Sequence, residues 1–402
     1  MEKAGIGLLP GTLAGLLQKL ATSPDPSLVS APQFRFVPSL ANIPAPAWDR
    51  LTGGHPALRH AFLQGLETTG CVGPGTGWTP RHATLWTGGE LVAAMPLYAK
   101  THSYGEYVFD WAWADAYRRH GLAYYPKWVA AIPFSPLPGP RLLAGDDAYR
   151  ARLLDQVLAA ARDEDLASFH LLFPDPAELP CLQEQGLLLR QNVQFHWQNA
   201  QYRSFDDFLA QLNHDKRKKI RQERRRAREG LEFIWLDGHT AQADDWDFFH
   251  HCYTLTYAAH RSTPYLTRAF FHRLAEATPD AVRLLRVSRG GAPIAAAWFL
   301  QGSDALYGRY WGATEYVPCL HFEACYYAAI EEAIRLGLDR LEGGAQGEHK
   351  LARGLQPVAT WSAHWLREAA FADAVARYLA REREGVAGWM DELGERTPFR
   401  QG

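Results

Sequence analysis

The chain is poor in sulfur and carries almost no net charge. Its 402 residues hold three methionines and five cysteines, Cys71, Cys181, Cys252, Cys319 and Cys325. An odd cysteine count with no CxxC pair indicates neither a disulfide framework nor a zinc site. A reducing, cytoplasmic compartment is expected. No run approaches the roughly 18 apolar residues of a membrane span. The G-x-S-x-G elbow, the Walker loop and the HExxH motif are all missing, so hydrolase, NTPase and zinc-protease chemistries lack their signatures. His250 and His251 have no third ligand at metal spacing, and no metal is expected. A net charge of -2 argues against indiscriminate binding to polyanions by the protein as a whole.

What is present suits packed cores: 47% hydrophobic and 12% aromatic residues. The length suggests two domains. Residues 1–33, broken by glycines and prolines, read as a flexible leader and not as a signal peptide. Beyond it the chain repeats itself. Residues 84–117, "TLWTGGELVAAMPLYAKTHSYGEYVFDWAWADAY", resemble 284–316, "LLRVSRGGAPIAAAWFLQGSDALYGRYWGATEY". Each has an apolar run, a Gly-Gly turn, a second run and an aromatic third run, and Val92 and Ile294 stand 202 positions apart.

After the second unit, helical spacing from Leu320 to Leu336 stops at Gly337 and leads to a strand at Leu338 to Glu342. After the first come a proline-rich insertion from Pro126 to Pro140, a helix over Asp147 to Asp163 and a strand over Leu166 to Phe173. The pattern predicts an α/β fold of tandem duplicated GNAT-like acyltransferase domains, each a mixed, mainly antiparallel sheet flanked by helices. The first is placed at 34–200 and the second, carrying the active site, at 231–402. A basic helical segment at 201–230 joins them.

Within that segment, "HDKRKKIRQERRRAREG" at 214–230 holds nine Lys or Arg and three acids. It reads as a helix closed by Gly230, with Leu209, Leu212, Ile220 and Ala227 on one stripe and Arg217, Arg221, Arg224 and Arg228 on another. A solvated face is one account of it. A phosphate-rich partner is the other: a coenzyme A tail, an RNA backbone or an anionic membrane surface.

"EGGAQGEHKLARG" at 342–354 follows the last core strand of the second unit, where ligands gather in open α/β sheets. Its glycines leave backbone donors free. Gln346, Glu348, His349, Lys350 and Arg353 supply a base, a proton donor and cations. Acyl transfer to an amine needs such a set. Nearby, "GRYWGATEYVPCLHFEACYY" at 308–327 offers Arg309, Tyr310 and Trp311 on a strand, then His321 and Glu323 at a helix start. The Arg/Gln-x-x-Gly-x-Gly/Ala signature of a coenzyme A pyrophosphate loop is absent from it.

"CLHFEACYYAAIEEAI", "EGGAQGEHKLARGLQPVATWSAHW", "LYGRYWG" and "AAMPLYAKTHSYGEYVFDWAWADAYRRHG" together resemble the FemAB-like predicted N-acyltransferases, often labelled peptidoglycan biosynthesis or recognition proteins. The resemblance runs from Trp48 to Trp365. It implies a pair of GNAT-like domains and transfer of an acyl or aminoacyl group to an amine, as in Fem ligases that act on a peptidoglycan precursor. No tightly bound cofactor is expected; acyl-CoA or aminoacyl-tRNA would be the co-substrate. The acceptor would be an amine-bearing small molecule or peptide, with tRNA and an anionic membrane surface as further partners. The expected roles are Glu348, His349 and Glu323 in catalysis, Lys350, Arg353, Arg217, Arg221 and Arg224 on the donor's phosphates, and Arg309, Tyr310, Trp311, His321 and Gln346 on substrate. A recognition protein that binds peptidoglycan peptide or a lipid-linked precursor without chemistry is the alternative.

Overall fold

The computed structural model describes residues 31–345 and 347–400. The first half contributes β1 (Gln33–Val37), β2 (Trp78–Pro80), β3 (His82–Thr87), β4 (Glu90–Met95), β5 (Leu97–Lys100), β6 (Lys127–Ala130), β7 (Leu143–Ala144), β8 (Ser168–Leu172) and β9 (Leu188–Gln198). The second contributes β10 (Glu232–Leu236), β11 (Val282–Arg289), β12 (Ala292–Gln301), β13 (Ala305–Ala313), β14 (Arg340–Ala345) and β15 (Gln356–Leu366). Most of the expected leader lies outside the described residues, and Gln33 already belongs to a strand.

The two halves are tandem GNAT-like units with the same internal order. In each, an antiparallel run of strands leads to one parallel pair, β6 with β8 and β13 with β14. A helix crosses over between the members of each pair. In the first half it spans Asp147–Asp163, with Asp146 accepting from the Tyr149 amide. In the second it enters at Leu320–Phe322, widens over Glu323–Tyr327 and continues over Ala328–Arg335, ending before Gly337 at φ +67°.

The halves do not keep separate sheets. Eleven strands run in the order β10-β11-β12-β13-β14-β9-β15-β8-β6-β5-β2, beside a four-stranded sheet β1-β3-β4-β7. The last strand of the first half, β9, pairs with β14, while the last strand of the second, β15, pairs with β8 and β9. Each half therefore completes the sheet of the other. β12 is buried on both faces, as a central strand requires. Ala296, Trp298 and Leu300 face the helices Ala243–Ala259 and Arg268–Ala277, and Ala295, Ala297 and Phe299 face the crossover helix.

The aromatic third run of the first half is not a strand. Residues 101–110 form a loop that leads into a helix at Trp111–Arg119, and β6 takes the third-strand position. The reason is electrostatic. Glu106 and Asp110 both fold back onto Lys127, which opens β6 and is fully buried. A buried ammonium needs such partners, and a strand would send these residues elsewhere.

The basic segment is two helices, not one. Phe205–Gln211 ends before Asn213, whose side chain accepts from the Lys216 amide at 3.0 Å and starts a second helix at His214–Arg228. Ile220 and Ala227 face inward. Arg224 is turned inward as well, and it and the more exposed Arg228 donate to the fully buried Glu323 at 3.1 and 2.7 Å and also reach Glu331. Lys218, Lys219, Arg225 and Arg226 face solvent. Replacing Glu323 by alanine is expected to cost about 3 kcal/mol, because two guanidinium groups lose a buried partner. Arg221→Ala, which breaks only an exposed pair with Asp206, should stay within about 0.5 kcal/mol. Denaturant unfolding of the two variants checks this; equal losses would contradict the division into inner and outer faces.

Candidate functional site

Where β13 and β14 meet, the sheet opens. Their parallel pairing covers only Ala305–Tyr307 against Arg340–Glu342. β13 continues to Ala313 along β12, with a bulge that leaves Arg309 out of register between Gly308 and Tyr310. On β14 the register with β9 slips between Glu342 and Ala345. Gly343 sits at that slip because a Cβ there would lie 2.4 Å from Leu355 Cδ2 and 2.9 Å from the Phe195 carbonyl. The run 342–354 is thus a strand end followed by a 3-10 turn at Glu348–Arg353, bounded by Gly347 at φ +94° and Gly354 at φ +88°, conformations that glycine adopts at least cost.

The turn's two cations secure the turn itself. Lys350 is buried and donates to the Gly344 and Ala345 carbonyls at 3.2 and 2.8 Å. Burial brings its ammonium down to about 8. Arg353 is buried as well; it donates to the His349 carbonyl at 2.6 Å and to Glu223 at 3.1 Å, and its guanidinium lies 3.4 Å over the Phe322 ring. Glu348 is exposed and turned to the C-terminal helix Ala369–Glu395, accepting from Trp389 at 3.4 Å, and from Arg396 just beyond that helix at 2.9 Å. Gln346 lies outside the described residues.

His349 and His321 do come together. Their rings are 6.4 Å apart. The Tyr326 hydroxyl lies 3.2 Å from His349 Nε2, and the Trp311 ring stands 5.1 Å from His321. Burial, then the charge of His349, brings His321 down to about 4. Partial burial, then Arg353 and Lys350, lowers His349. Both rings are therefore neutral at neutral pH, and each has one nitrogen that can accept a proton. A cavity of about 490 Å³ is lined by Trp311, His321 and Phe322 together with Thr256, Tyr316 and Cys319. Thr256 holds its wall by donating to the Trp311 carbonyl at 2.8 Å.

The remaining expected residues are dispersed. Arg224 and Glu323 form the buried ion pair beneath the basic helix, Arg217 is half-buried on that helix and Arg221 is exposed. Arg309 and Tyr310 reach across to the first half, where Arg309 donates to the Phe134 carbonyl at 2.6 Å and to Ser135 at 3.1 Å, and the Tyr310 hydroxyl donates to the same carbonyl at 2.9 Å.

Sequence reasoning passed over two groups. The first is Glu342 itself, the opening residue of the run. It is buried at the last position of β14 that pairs with β13, accepts from Arg340 Nε at 3.0 Å, and burial raises its carboxyl to about 7. The second lies in the first half. Lys127 donates to Ser103 and Glu106, each at 2.8 Å, and pairs with Asp110. The Tyr124 hydroxyl donates to Asp110 at 2.6 Å. His170 and His364 share a 2.7 Å contact between their Nδ1 atoms across the halves. Lys100 sits 3.7 Å over the Trp78 ring and 3.8 Å from Glu106. Burial brings Lys100 down to about 7 and Glu106 up to about 7. Tyr107, next to Glu106, lies beside Tyr257 and Tyr310 of the second half. The available signal was charge inside an apolar run: "AKTHSYGEYVFD" places three ionic residues among aromatics, and such residues are buried only when paired.

Among the described residues no cluster of His, Cys, Asp or Glu could hold a metal ion, and no helix is long and apolar enough to cross a membrane. No curated protein matches the chain in sequence. Among solved structures it resembles FemX, with 10% identity over 86% of this chain and 100% of that one and a TM-score of 0.52. It also resembles L-PGS from Bacillus licheniformis, with 10% identity over 89% of this chain and 96% of that one and a TM-score of 0.50. A tandem GNAT protein from the clavulanic acid biosynthesis pathway matches at 11% identity over 84% of this chain and 98% of that one, with a TM-score of 0.43. Likeness at these identities is likeness of fold. In sequence, the profile of the FemAB-like proteins, described as peptidoglycan biosynthesis/recognition, matches residues 39–401, and the chain belongs to that family.

Proposed function

We propose that the protein transfers an acyl or aminoacyl group from an activated carrier to the amine of a cell-wall precursor. The observation that carries this reading is the parting of β13 from β14 beyond Tyr307 and Glu342, with the neutral His349 and His321 pair at its open end. Past Gly308 the β14 side of β13 has no ladder partner among the described residues, so its amides are available to an oxyanion. His349 takes the proton of the attacking amine. The amine's nitrogen forms the new bond to the carbonyl carbon, and the carrier's ester or thioester bond breaks. Tyr326, kept protonated by burial and 3.2 Å from His349 Nε2, gives its proton to the leaving oxygen or sulfur and is reprotonated by the His349 imidazolium. The donor's phosphates lie along Lys218, Lys219, Arg225 and Arg226, the outward face of the basic helix. Acyl-coenzyme A and aminoacyl-tRNA both fit this requirement. Peripheral contact with an anionic membrane would use the same face.

The recognition reading gains support from Lys350, Arg353 and Glu348, whose charges are all engaged within the protein. It requires ligand binding with no product. Mass spectrometry of reactions containing acyl-coenzyme A or aminoacyl-tRNA donors and amine acceptors separates the two, since transfer requires a mass shift on the acceptor.

His349→Ala is expected to lower kcat by about 100-fold or more, the ordinary share of a general base, with an unchanged melting temperature. The folded-state value of His349 is lowered, so the imidazole stays a base until the pH falls below the usual 6.5. The rate should then fall along an acid limb centred under 6.5, and that limb should vanish in the alanine variant. Replacing Lys218, Lys219, Arg225 and Arg226 with glutamine should weaken binding to tRNA and flatten its salt dependence by about one unit of slope per lost phosphate contact; filter binding at several salt concentrations reads both.

A further inference from the structure

A cavity of about 550 Å³ lies between the halves, over the sheet face that carries Tyr307, Glu342 and His196. Two guanidinium groups, Arg150 and Arg340, and four carboxyl groups, Asp175, Glu178, Asp304 and Glu342, line it. Arg340 is taken up by Asp304 and Glu342, and Arg150 by Asp147. Carboxyl groups outnumber guanidinium groups in the lining, and burial raises two of them, Glu178 and Glu342, to about 7.

Three side chains at this cavity have a buried polar atom without a partner among the described residues: Thr360, whose hydroxyl can donate or accept, and Glu342 and His55, whose free atoms only accept. Glu342 is 2% exposed; its Oε1 accepts from Arg340, and its Oε2 has no partner among the described residues. His55 is 8% exposed, and its Nε2 lies 3.1 Å from the Pro138 carbonyl. A carbonyl only accepts, so the hydrogen of the neutral ring is on Nε2, and Nδ1 carries the lone pair. That Nδ1 also has no partner. Leaving a buried acceptor unmade costs about 1–3 kcal/mol, and two of them at one cavity describe a site made for a donor. His55 is held where it is by close packing: its ring stands 5.1 Å from that of Tyr307, and a Cβ on Gly139 would fall 2.7 Å from His55 Cδ2.

From these two acceptors we infer that the cavity is a binding site for a primary ammonium group, held by Glu342 Oε2 and His55 Nδ1. A primary ammonium offers three N–H donors and a positive charge, which the two acceptors and the acidic lining match. Pro56, Pro138 and Val358 supply apolar wall, suited to a methylene chain leading to that nitrogen. Glu342 is also the last residue paired to β13 before the sheet parts, so an amine held there stands at the closed end of the gap. The inference deepens the transfer reading, and rests on it for the fate of the amine but not for its binding.

Titration calorimetry with n-butylammonium, n-butanol and tetramethylammonium tests it on the full chain. Butylammonium should bind, and the alcohol and the quaternary ion, which lack the charge or the N–H donors, should bind at least about tenfold more weakly. Glu342→Gln should weaken butylammonium by about 10- to 100-fold, the share of a charge-assisted hydrogen bond. Ser303→Trp, on an exposed loop at the cavity's rim, should block the site without touching the Glu342 ion pair, and so serves if the glutamine variant does not fold. Equal binding of the three probes, or unchanged butylammonium binding in the tryptophan variant, overturns the inference. Product analysis by mass spectrometry on the same samples keeps the two readings apart. Transfer with no butylammonium site sinks the inference alone; a butylammonium site in a protein that transfers nothing from any donor sinks the transfer reading alone.

Discussion

The exchange of β9 and β15 governs the rest of the molecule. Each is the last strand of its half, and each is hydrogen-bonded into the sheet of the other half. Neither half can leave without breaking ladders on both sides of the β9–β15 pair. Rigidity at the junction follows, and the junction is where the chemistry-bearing residues collect. Glu342 sits on the strand beside β9, His364 on β15 meets His170 on β8, and Arg309 and Tyr310 bond to Phe134 across the same boundary. A duplicated fold with two separate sheets would hold these groups on a flexible hinge.

Charge is sorted by depth. The inner side of the basic helix is neutralised by Glu323, Glu331 and, through Arg353, Glu223, which fastens the helix to the crossover helix and to the 3-10 turn. Only the outer side remains for a polyanion. The same logic shapes the first half, where Lys127, Glu106 and Asp110 form a buried ion-paired set and convert a strand-like aromatic sequence into a loop that touches the second half through Tyr107. In both places a run of charge that looks like surface in the sequence is structural on one side.

Legibility followed locality. The helix at Asp147–Asp163, the crossover helix stopped at Gly337, and the basic helix could be read because periodicity and helix-stop signals act within a few residues. The histidine pair was half legible: His321 and His349 were each singled out, but their convergence depends on the turn between Gly347 and Gly354. Of the polar cluster around Lys127, only the charges of Lys100, Glu106 and Asp110 within one aromatic run give a local signal; their pairing with Lys127 and the approach of His364, 264 positions from Lys100, depend on the tertiary fold. Glu342 carries no local signal of its role, since a lone glutamate before two glycines resembles a strand end.

The amino-acid sequence by itself determined the duplication, the α/β order of each unit, the family and the places where the backbone must be glycine, because these depend on short-range pattern and on local stereochemistry. Only the tertiary structure decided which half owns which strand, which arginines face inward, and which acidic residue is left with an unpartnered oxygen at a cavity. Those outcomes depend on burial and on contacts between residues far apart in the chain. Burial turns a charge from a solubility feature into a group that must be paired or must act.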